Sequence, residues 1–373
     1  MDFALSEEQL EIQAFAREAL GRIATSFVAA DGSYHTADDG PVWAEIAAAD
    51  LLAIGLPESL GGAGGTVIEN CLIAAEAGRA GLLARYDASA VAASAVARFG
   101  TGDAVQAVLS AFISGRAAIG LVADDARATV KSLTVTQDDG GWLVSGRVRH
   151  ATVTAAEDSL LVPVEIDGSP MFALVELGRD GVSRDDVIAT DLTHSSHLSL
   201  RDVRISAADL IGEPGTDVWS WVEQRALAVS CATQLGICSA AVDLATKHVR
   251  DRRQFGRALA DFQAVTQRLA DATIDLQVLE VSMWRLATLL SQGKDAPVAA
   301  HLAKYLAAAS APSVIRAAVH LHGGLGVDTS YPLTRLVLTS KRSELWKGGE
   351  SVHLEHLADL IGQAETLDGL LDT

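Results

Sequence analysis

The stretch FQAVTQRLADATIDLQVLEVSMWRLATLL (262–290) carries a sustained pattern of apolar residues. They recur with alternating steps of three and four, at Phe262, Val265, Leu269, Ala272, Leu276, Leu279, Met283, Leu286 and Leu290. Such a seam is typical of a long helix in an antiparallel bundle. Downstream, QGKD (292–295) supplies a glycine and a turn, and another helix is predicted from about Pro297 to His320. Residues 213–373 are therefore predicted to form a C-terminal helical bundle domain.

Upstream of this bundle, residues 119–212 have the pattern of short strands. LTVT (133–136), DDGG (138–141) and WLV (142–144) predict a β-hairpin, because β-formers flank a turn rich in Asp and Gly. Further strands are predicted at 160–162, 171–177 and 198–205. Residues 119–212 are therefore predicted to form a small middle β domain.

Residues 1–118 are predicted to form an N-terminal helical domain of several short to medium helices. Ser6 and Gln9 fit a capping box at the start of the first helix, with Leu5 and Leu10 as a hydrophobic staple. The order of helices, strands and long helices predicts a mainly α chain with a central β domain.

Composition excludes several classes of function. The chain has 373 residues, 49% of them apolar, and a net charge of −19, which disfavours nucleic acid and anionic membrane surfaces as partners. Its three cysteines form no C-x-x-C motif, which indicates a reducing compartment and no structural metal site. No export signal or uncharged apolar stretch of membrane-spanning length is recognisable, so we expect a cytoplasmic protein without a metal ion.

Two short motifs in the C-terminal part can carry chemistry. RRQFG (252–256), followed by Phe262 and Gln263, offers guanidinium groups suited to a diphosphate and an aromatic face on which a ring can stack. HLHGGLG (320–326) offers glycines that let backbone amides approach a phosphate or ring closely. Spacing alone leaves open a solvated basic helix end for the first motif and a helix C-cap for the second.

These features together resemble the acyl-CoA dehydrogenase family over nearly the whole chain. AIGLPE (53–58), the Gly61-Gly62 pair and EAGR (76–79) resemble its N-terminal helical domain. RRQFG (252–256) and HGGLG (322–326) before Tyr331-Pro332 match its most specific motifs in the expected order. The resemblance implies an N-terminal helical domain, a middle β-barrel or sandwich, and a C-terminal four-helix bundle.

The resemblance also implies a cofactor, FAD, and a reaction, the α,β-dehydrogenation of an acyl-CoA. In the family both C-terminal motifs contact the FAD of a neighbouring subunit. Arg252 would hold the diphosphate, Phe255 and Gln263 would contact the flavin nucleotide, and His320, Gly323 and Gly324 would close over it. A glutamate removes the substrate's α proton, which requires a position within hydrogen-bonding reach.

The sequence departs from the family at the place of this glutamate. The interval counted from Tyr331-Pro332 leads to Lys347, and the alternative place used by some members holds Ala226. Glu223 lies one helical turn before Ala226 and is a weak substitute, while Glu344 and Glu350 would each need a three-residue shift. We therefore expect no catalytic residue in this chain.

The middle domain departs as well. ADDARA (123–128) replaces the family's EPGAGSD-like segment beside the flavin ring, and RVRH (147–150) replaces its usual lysine and aromatic. The chain thus resembles the non-catalytic partner subunit of heterotetrameric acyl-CoA dehydrogenases that act on steroid side-chain CoA thioesters. That resemblance implies a related partner subunit that carries the glutamate. Two alternatives stay open: a homotetrameric dehydrogenase that uses Glu223, and a flavin-free acyl-CoA-binding or scaffold protein.

Overall fold

A computed structural model of the chain describes residues 4–27, 40–82, 85–153, 155, 157–189 and 193–364. The helices are α1 (Glu7–Ser26), α2 (Gly40–Ala48), α3 (Val67–Arg79), α4 (Tyr86–Phe99), α5 (Asp103–Ile113), α6 (Ala126–Val130), α7 (Val218–Asp251), α8 (Gln263–Ser291), α9 (Pro297–His322), α10 (Pro332–Leu345) and α11 (Glu350–Gln363). The strands are β1 (Ile119–Gly120), β2 (Leu133–Asp138), β3 (Gly141–Ala151), β4 (Ser159–Ile166), β5 (Ser169–Glu176), β6 (Val182–Ile188), β7 (His194–Ile205), β8 (Leu210–Ile211), β9 (Arg253–Gln254) and β10 (Arg257–Ala258). The predicted fold class, mainly α with a central β region, is confirmed.

Local sequence signals explain where several elements begin and end. The capping box of α1 is present: the Gln9 amide donates to Ser6 Oγ at 3.2 Å, and the Ser6 amide donates to Gln9 Oε1 at 3.0 Å. The predicted seam forms the buried side of α8, where Leu279, Met283 and Leu286 are fully enclosed. Gly293 follows α8 with a φ of 75°, a conformation that glycine adopts at low cost.

The β region contains two four-stranded sheets. One has the strand order β1-β4-β5-β8 and the other β2-β3-β7-β6. The predicted hairpin is confirmed, since Leu133 pairs with Gly146 and Asp138 with Gly141 around a two-residue turn. Strand β6 was not predicted, because its sequence VSRDDVI is polar at most positions and it lies at an exposed sheet edge.

The described residues divide into two compact units. One unit takes Met1–His35, Cys71–Leu83 and Leu227–Thr373, and so contains α1 and α8–α11. The other takes Thr36–Asn70 and Ala84–Ala226, and so contains both sheets with α2, α4 and α5. The division into domains at 1–118, 119–212 and 213–373 stays a prediction.

Close approach between α3 and α7 organises the first unit. A Cβ atom on Gly236 would lie 1.7 Å from the Ala75 carbonyl oxygen, and one on Gly78 would lie 2.2 Å from the Thr233 oxygen. The two helix backbones therefore touch at positions where only glycine fits. Within the described residues, α7 is the one helix long and apolar enough to span a membrane, but 72% of its apolar window is buried. This burial is typical of a core helix.

A buried ion pair stabilises the second unit. Asp158 is 2% exposed and accepts from Arg85 Nη1 at 2.6 Å. The same carboxylate accepts from the backbone amides of Ala118 at 2.8 Å and Ala155 at 3.0 Å. These donors offset the desolvation of the charge, so the pair fixes the chain before β1 against the start of β4.

Candidate functional site

The first motif forms a projecting ribbon directly after α7. Strands β9 and β10 pair with each other, and Phe255 and Gly256 make the turn with φ values of 52° and 81°. This geometry leaves the Phe255 side chain 90% exposed, and Arg252 is exposed at the base of the ribbon. An aromatic side chain with this exposure presents a whole face to a ligand or partner.

The ribbon leans toward the start of α8. The rings of Phe255 and Phe262 meet edge to face at 6.2 Å, and the Arg257 guanidinium lies 3.9 Å from the centre of the Phe262 ring. Gln263 follows as the first residue of α8 and is exposed. The helix end adds unpaired amide donors and a partial positive charge to this surface.

The second motif lies at the end of α9. His322 ends the helix, and Gly323, with a φ of 60°, leads into a 3₁₀ turn over Gly323–Val327. Apart from their chain neighbours, no atom of the described residues lies within 4 Å of the Cβ positions that side chains at Gly323 and Gly324 would occupy. The backbone is therefore open to close approach here. His320 is exposed whereas His322 is 6% exposed, since the two residues point to different sides of the helix.

A stacked histidine pair, of which His322 is buried and His248 partly exposed, brings the two motifs together. The rings of His248, one turn before Arg252, and His322 stack with centres 4.5 Å apart. His322 Nδ1 lies 2.7 Å from the Ala318 carbonyl oxygen, which can only accept, so Nδ1 carries the proton. Nε2 then accepts from the Tyr331 hydroxyl at 3.2 Å. His248 was not predicted from the sequence, although its four-residue spacing from Arg252 was the available signal.

The surroundings of this pair shift the pKa values of His248 and Tyr331. Burial, and then the proximity of His322 and Arg252, lower the pKa of His248 below its ordinary value. Burial raises the pKa of the Tyr331 hydroxyl. Both groups therefore stay neutral at pH 7, and the positive charge belongs to the exposed arginines of the ribbon. Exposed guanidinium groups, an exposed aromatic face and open glycine backbone together fit a molecule with a diphosphate and flat rings.

Lys347 lies in the loop between α10 and α11, where the family pattern places its base. It is 6% exposed and adopts a φ of 63°, unusual for a residue with a side chain. His353 Nε2 lies 3.1 Å from the Lys347 carbonyl oxygen and donates to it. The loop that carries Lys347 is therefore held by a buried hydrogen bond.

The three candidate carboxylates differ in their surroundings. Glu344 accepts from Lys341 at 2.9 Å within α10, and Glu350 is exposed at the start of α11. Ala226 is fully buried in α7, and Glu223 is partly buried one turn earlier. Glu223 belongs to the unit that contains the sheets, whereas Lys347 and both motifs belong to the other unit.

A cluster of basic side chains surrounds His353. His301 Nδ1 lies 3.0 Å from His353 Nδ1, and the His301 ring stacks on His356 at 4.5 Å. Lys304 is 1% exposed, and its ammonium donates to the Ser343 carbonyl oxygen at 2.6 Å. Burial, and then the Lys304 charge, lower the pKa of His353 to about 4. None of these contacts is visible in the sequence.

In the other unit, side chains of the segment ADDARA (123–128) cap a helix and form an ion pair. Asp125 caps α6 by accepting from the Ala128 amide at 3.0 Å. Arg127 pairs with Asp217 at 2.6 Å. His150 and His197 meet edge to face at 4.5 Å, and burial lowers the pKa of His150. These contacts differ in chemistry from the glycine-rich segment that the family places beside a flavin ring.

Comparisons with known proteins agree with this architecture. Models of the acyl-CoA dehydrogenase C-terminal and N-terminal domains match residues 221–362 and 6–116. Acyl-CoA dehydrogenase FadE27 of Mycobacterium tuberculosis is 31% identical over 86% of this chain and 87% of its own length. A variant of the Tcur3481-Tcur3483 steroid ACAD is 30% identical with a TM-score of 0.87, covering 96% of this chain and 98% of that chain. The ChsE4-ChsE5 complex from Mycobacterium tuberculosis is 27% identical with a TM-score of 0.88, covering 98% of this chain and 100% of that chain.

Proposed function

The chain belongs to the acyl-CoA dehydrogenase family, and we propose that it is a subunit that completes an FAD site without supplying the catalytic base. It would act in an α2β2 heterotetramer with a related chain that brings the glutamate. The assembly would α,β-dehydrogenate an acyl-CoA.

The buried lysine at position 347 carries this proposal. In the family a glutamate carboxylate accepts the substrate's α proton, and a lysine at this place supplies no carboxylate. Lys347 is 6% exposed, and its loop is held by His353, so a nearby carboxylate such as Glu350 does not take its place without rearrangement. The ribbon at 252–256, His320 and the Gly323–Gly324 backbone, by contrast, are exposed and accessible to a ligand.

Each residue of the two motifs has a distinct role in the proposed site. FAD, when bound, would accept the hydride from the substrate's β carbon. Arg252 would hold the diphosphate through its fork of donors, and Phe255 would stack on a ring. Gln263 would donate from the start of α8, while His320 and the backbone of Gly323 and Gly324 would cover the nucleotide.

The similar structures support a substrate class and a kind of partner. The names of two of them describe a steroid ACAD and a complex of two different chains. By analogy we assign a steroid side-chain CoA thioester as substrate, a related subunit as partner and the cytoplasm as compartment. These assignments rest on similarity in sequence and fold.

Purification of the chain alone and together with a related acyl-CoA dehydrogenase subunit of the same organism tests the proposal. We expect bound FAD and oxidation of acyl-CoA only in the joint preparation. Arg252→Ala should weaken FAD binding by ~10- to 100-fold, because it removes a charge-assisted contact. Arg22→Ala, an exposed arginine of α1, is the matched control and should leave FAD content unchanged. Bound flavin with turnover by the solitary chain would refute the proposal.

A self-sufficient dehydrogenase that uses Glu223 is the second candidate, favoured by the partial burial of this carboxylate one turn before Ala226. Glu223→Gln would then abolish turnover without unfolding the chain. Unchanged turnover of the joint preparation with this variant would exclude that candidate. If Arg252→Ala left the flavin content of the complex unchanged, a flavin-free scaffold role would be favoured instead.

A further inference from the structure

His248 presents an imidazole with unused hydrogen-bonding capacity next to both motifs. It lies in the last turn of α7 and is partly exposed. Neither of its ring nitrogens has a hydrogen-bond partner among the residues that the structure describes. A neutral imidazole offers one donor and one acceptor, and a protonated one offers two donors. His248 is therefore available to bind a molecule from outside the chain.

The ring of His248 is supported by a side chain that is itself fixed. His322, which is 6% exposed, stacks on it with ring centres 4.5 Å apart and an angle of 29° between the ring planes. Both nitrogens of His322 are engaged, Nδ1 with the Ala318 carbonyl oxygen and Nε2 with the Tyr331 hydroxyl. Tyr331 packs in turn against the hydrophobic core formed by α7, α9 and α10. The His248 ring is therefore oriented before a ligand arrives.

The backbone fixes His248 relative to Arg252. The Arg252 amide donates to the His248 carbonyl oxygen at 2.9 Å, so helical geometry continues just past the end of α7. Side chains four residues apart on a helix lie on one side, so the imidazole and the guanidinium face the same region. The stacked His322 is followed directly by the accessible backbone of Gly323 and Gly324. His248 is thus joined to both motifs that, in the proposed function, contact FAD.

The end of α7 disfavours an anion unless positive groups cover it. The carbonyl groups of a last helical turn carry partial negative charge, and Asp251 adds a full one. A diphosphate is itself a multiple anion, and a single guanidinium at this place opposes all of these charges. A second donor on the side of Arg252 offsets the repulsion, and an imidazole can add a positive charge by taking up a proton.

We propose that His248 is a further FAD-binding residue, which donates a hydrogen bond to the cofactor's diphosphate beside Arg252. His322 and Tyr331 act as positioning residues that hold the His248 ring. The inference rests on the proposed function and deepens it by adding a proton-dependent contact to the same site.

This contact couples FAD binding to a proton. The groups that face His248 are Asp251 and Arg252 at the end of α7, His322 on α9 and the Tyr331 hydroxyl before α10. In the free chain, burial and then His322 and Arg252 lower the pKa of His248 below 6.5, and Asp251 opposes them. A bound phosphate places negative charge beside the ring and raises this pKa. Affinity for FAD therefore rises as pH falls, and levels off below the pKa of the free chain.

Titration of FAD into the heterocomplex freed of its flavin, followed by flavin fluorescence, measures this coupling. FAD should bind ~3- to 10-fold more tightly at about pH 6 than at about pH 8. His248→Gln can donate but does not titrate, so it should keep the wild-type Kd at the higher pH and gain nothing at the lower one. His248→Phe keeps a flat ring on His322 but has no N–H group, and should bind FAD ~10-fold more weakly.

Lys247→Gln, at an exposed neighbouring position, is the matched control and should retain the pH dependence. Tyr331→Phe removes the hydroxyl that binds His322 and should weaken FAD binding ~3-fold. Thermal unfolding verifies that each variant is folded, and Tyr331→Phe and His248→Gln still test the contact if His248→Phe is not.

An FAD affinity that does not change with pH, a pH dependence that persists in His248→Gln, or a wild-type Kd for His248→Phe would overturn the inference. If Arg252→Ala removes FAD in the same experiments, the proposed function still stands. A heterocomplex that binds no FAD at either pH would overturn the proposed function and this inference with it.

Discussion

The hydrogen bonds of His353 predict a specific loss of stability in mild acid. In its neutral form, His353 donates from Nε2 to the Lys347 carbonyl oxygen and accepts at Nδ1 from His301. A second proton on His353 would set two N–H groups against each other at 3.0 Å, close to the buried Lys304 ammonium. His353 is also one of two buried residues of α11, so its protonation should loosen that helix.

The size of this loss of stability follows from the pKa values of His353 in the unfolded and in the folded chain. Burial, and then Lys304 and His356, lower the pKa of His353 from 6.5 to about 4 in the folded chain. Above pH 6.5 the His353 side chain is neutral in both the folded and the unfolded chain, and its full contribution to stability is present. As pH falls toward 4, the unfolded chain binds a proton that the folded chain rejects, so stability decreases. Each pH unit in this window lowers the free energy of unfolding by at most ~1.4 kcal/mol. We therefore expect this free energy to fall by about 2 kcal/mol between about pH 7 and pH 4.5.

Denaturant unfolding across this pH range, with hydrogen exchange of α11 as the local probe, measures the loss. His248 and His150 also have lowered pKa values and add to the slope, so a variant isolates the effect of His353. His353→Gln can still donate to the Lys347 carbonyl but does not titrate. Between about pH 7 and pH 4.5 this variant should therefore lose about 2 kcal/mol less stability than the wild type. An identical dependence of stability on pH for His353→Gln and wild type would show that His353 does not cause the loss.

Two further predictions concern packing in the first unit. Gly236→Ala should destabilise the chain by about 3 kcal/mol or more, because its Cβ would lie 1.7 Å from the Ala75 oxygen. Gly21→Ala, in a helix with open space around it, should stabilise it by about 0.5–1 kcal/mol; equal Tm values for the two variants would contradict this. Cys231 and Cys238 are fully buried, and burial raises the pKa of each to about 12, so neither should react with a thiol reagent at neutral pH until the chain unfolds. Rapid labelling of either cysteine in the folded chain would show that α7 opens.

Much of the fold was predictable because its signals are local. The Ser6–Gln9 capping box, the hairpin turn near Gly140 and the α8 seam each depend on residues close together in sequence. Strand β6 was missed because Arg184, Asp185 and Asp186 break any apolar alternation. An edge strand needs only one neighbour and tolerates such residues.

The site was predictable only in part. RRQFG (252–256) and HGGLG (322–326) were recognisable as motifs, but the contact between His248 and His322 joins residues far apart in sequence. Lys304 sits in an alanine-rich helix where a lysine ordinarily reaches solvent, and only the fold supplies the Ser343 carbonyl that it binds. Composition and spacing do not encode such tertiary partners.

In the proposed function, this chain binds an FAD whose reaction depends on a carboxylate of another chain. A structure of the heterocomplex with FAD and a bound acyl-CoA would show which chain supplies that carboxylate. We predict that Arg252 contacts the FAD diphosphate and that the carboxylate within hydrogen-bonding distance of the substrate's α carbon belongs to the related subunit. A structure that placed Glu223, or any other carboxylate of this chain, against that carbon would contradict the account.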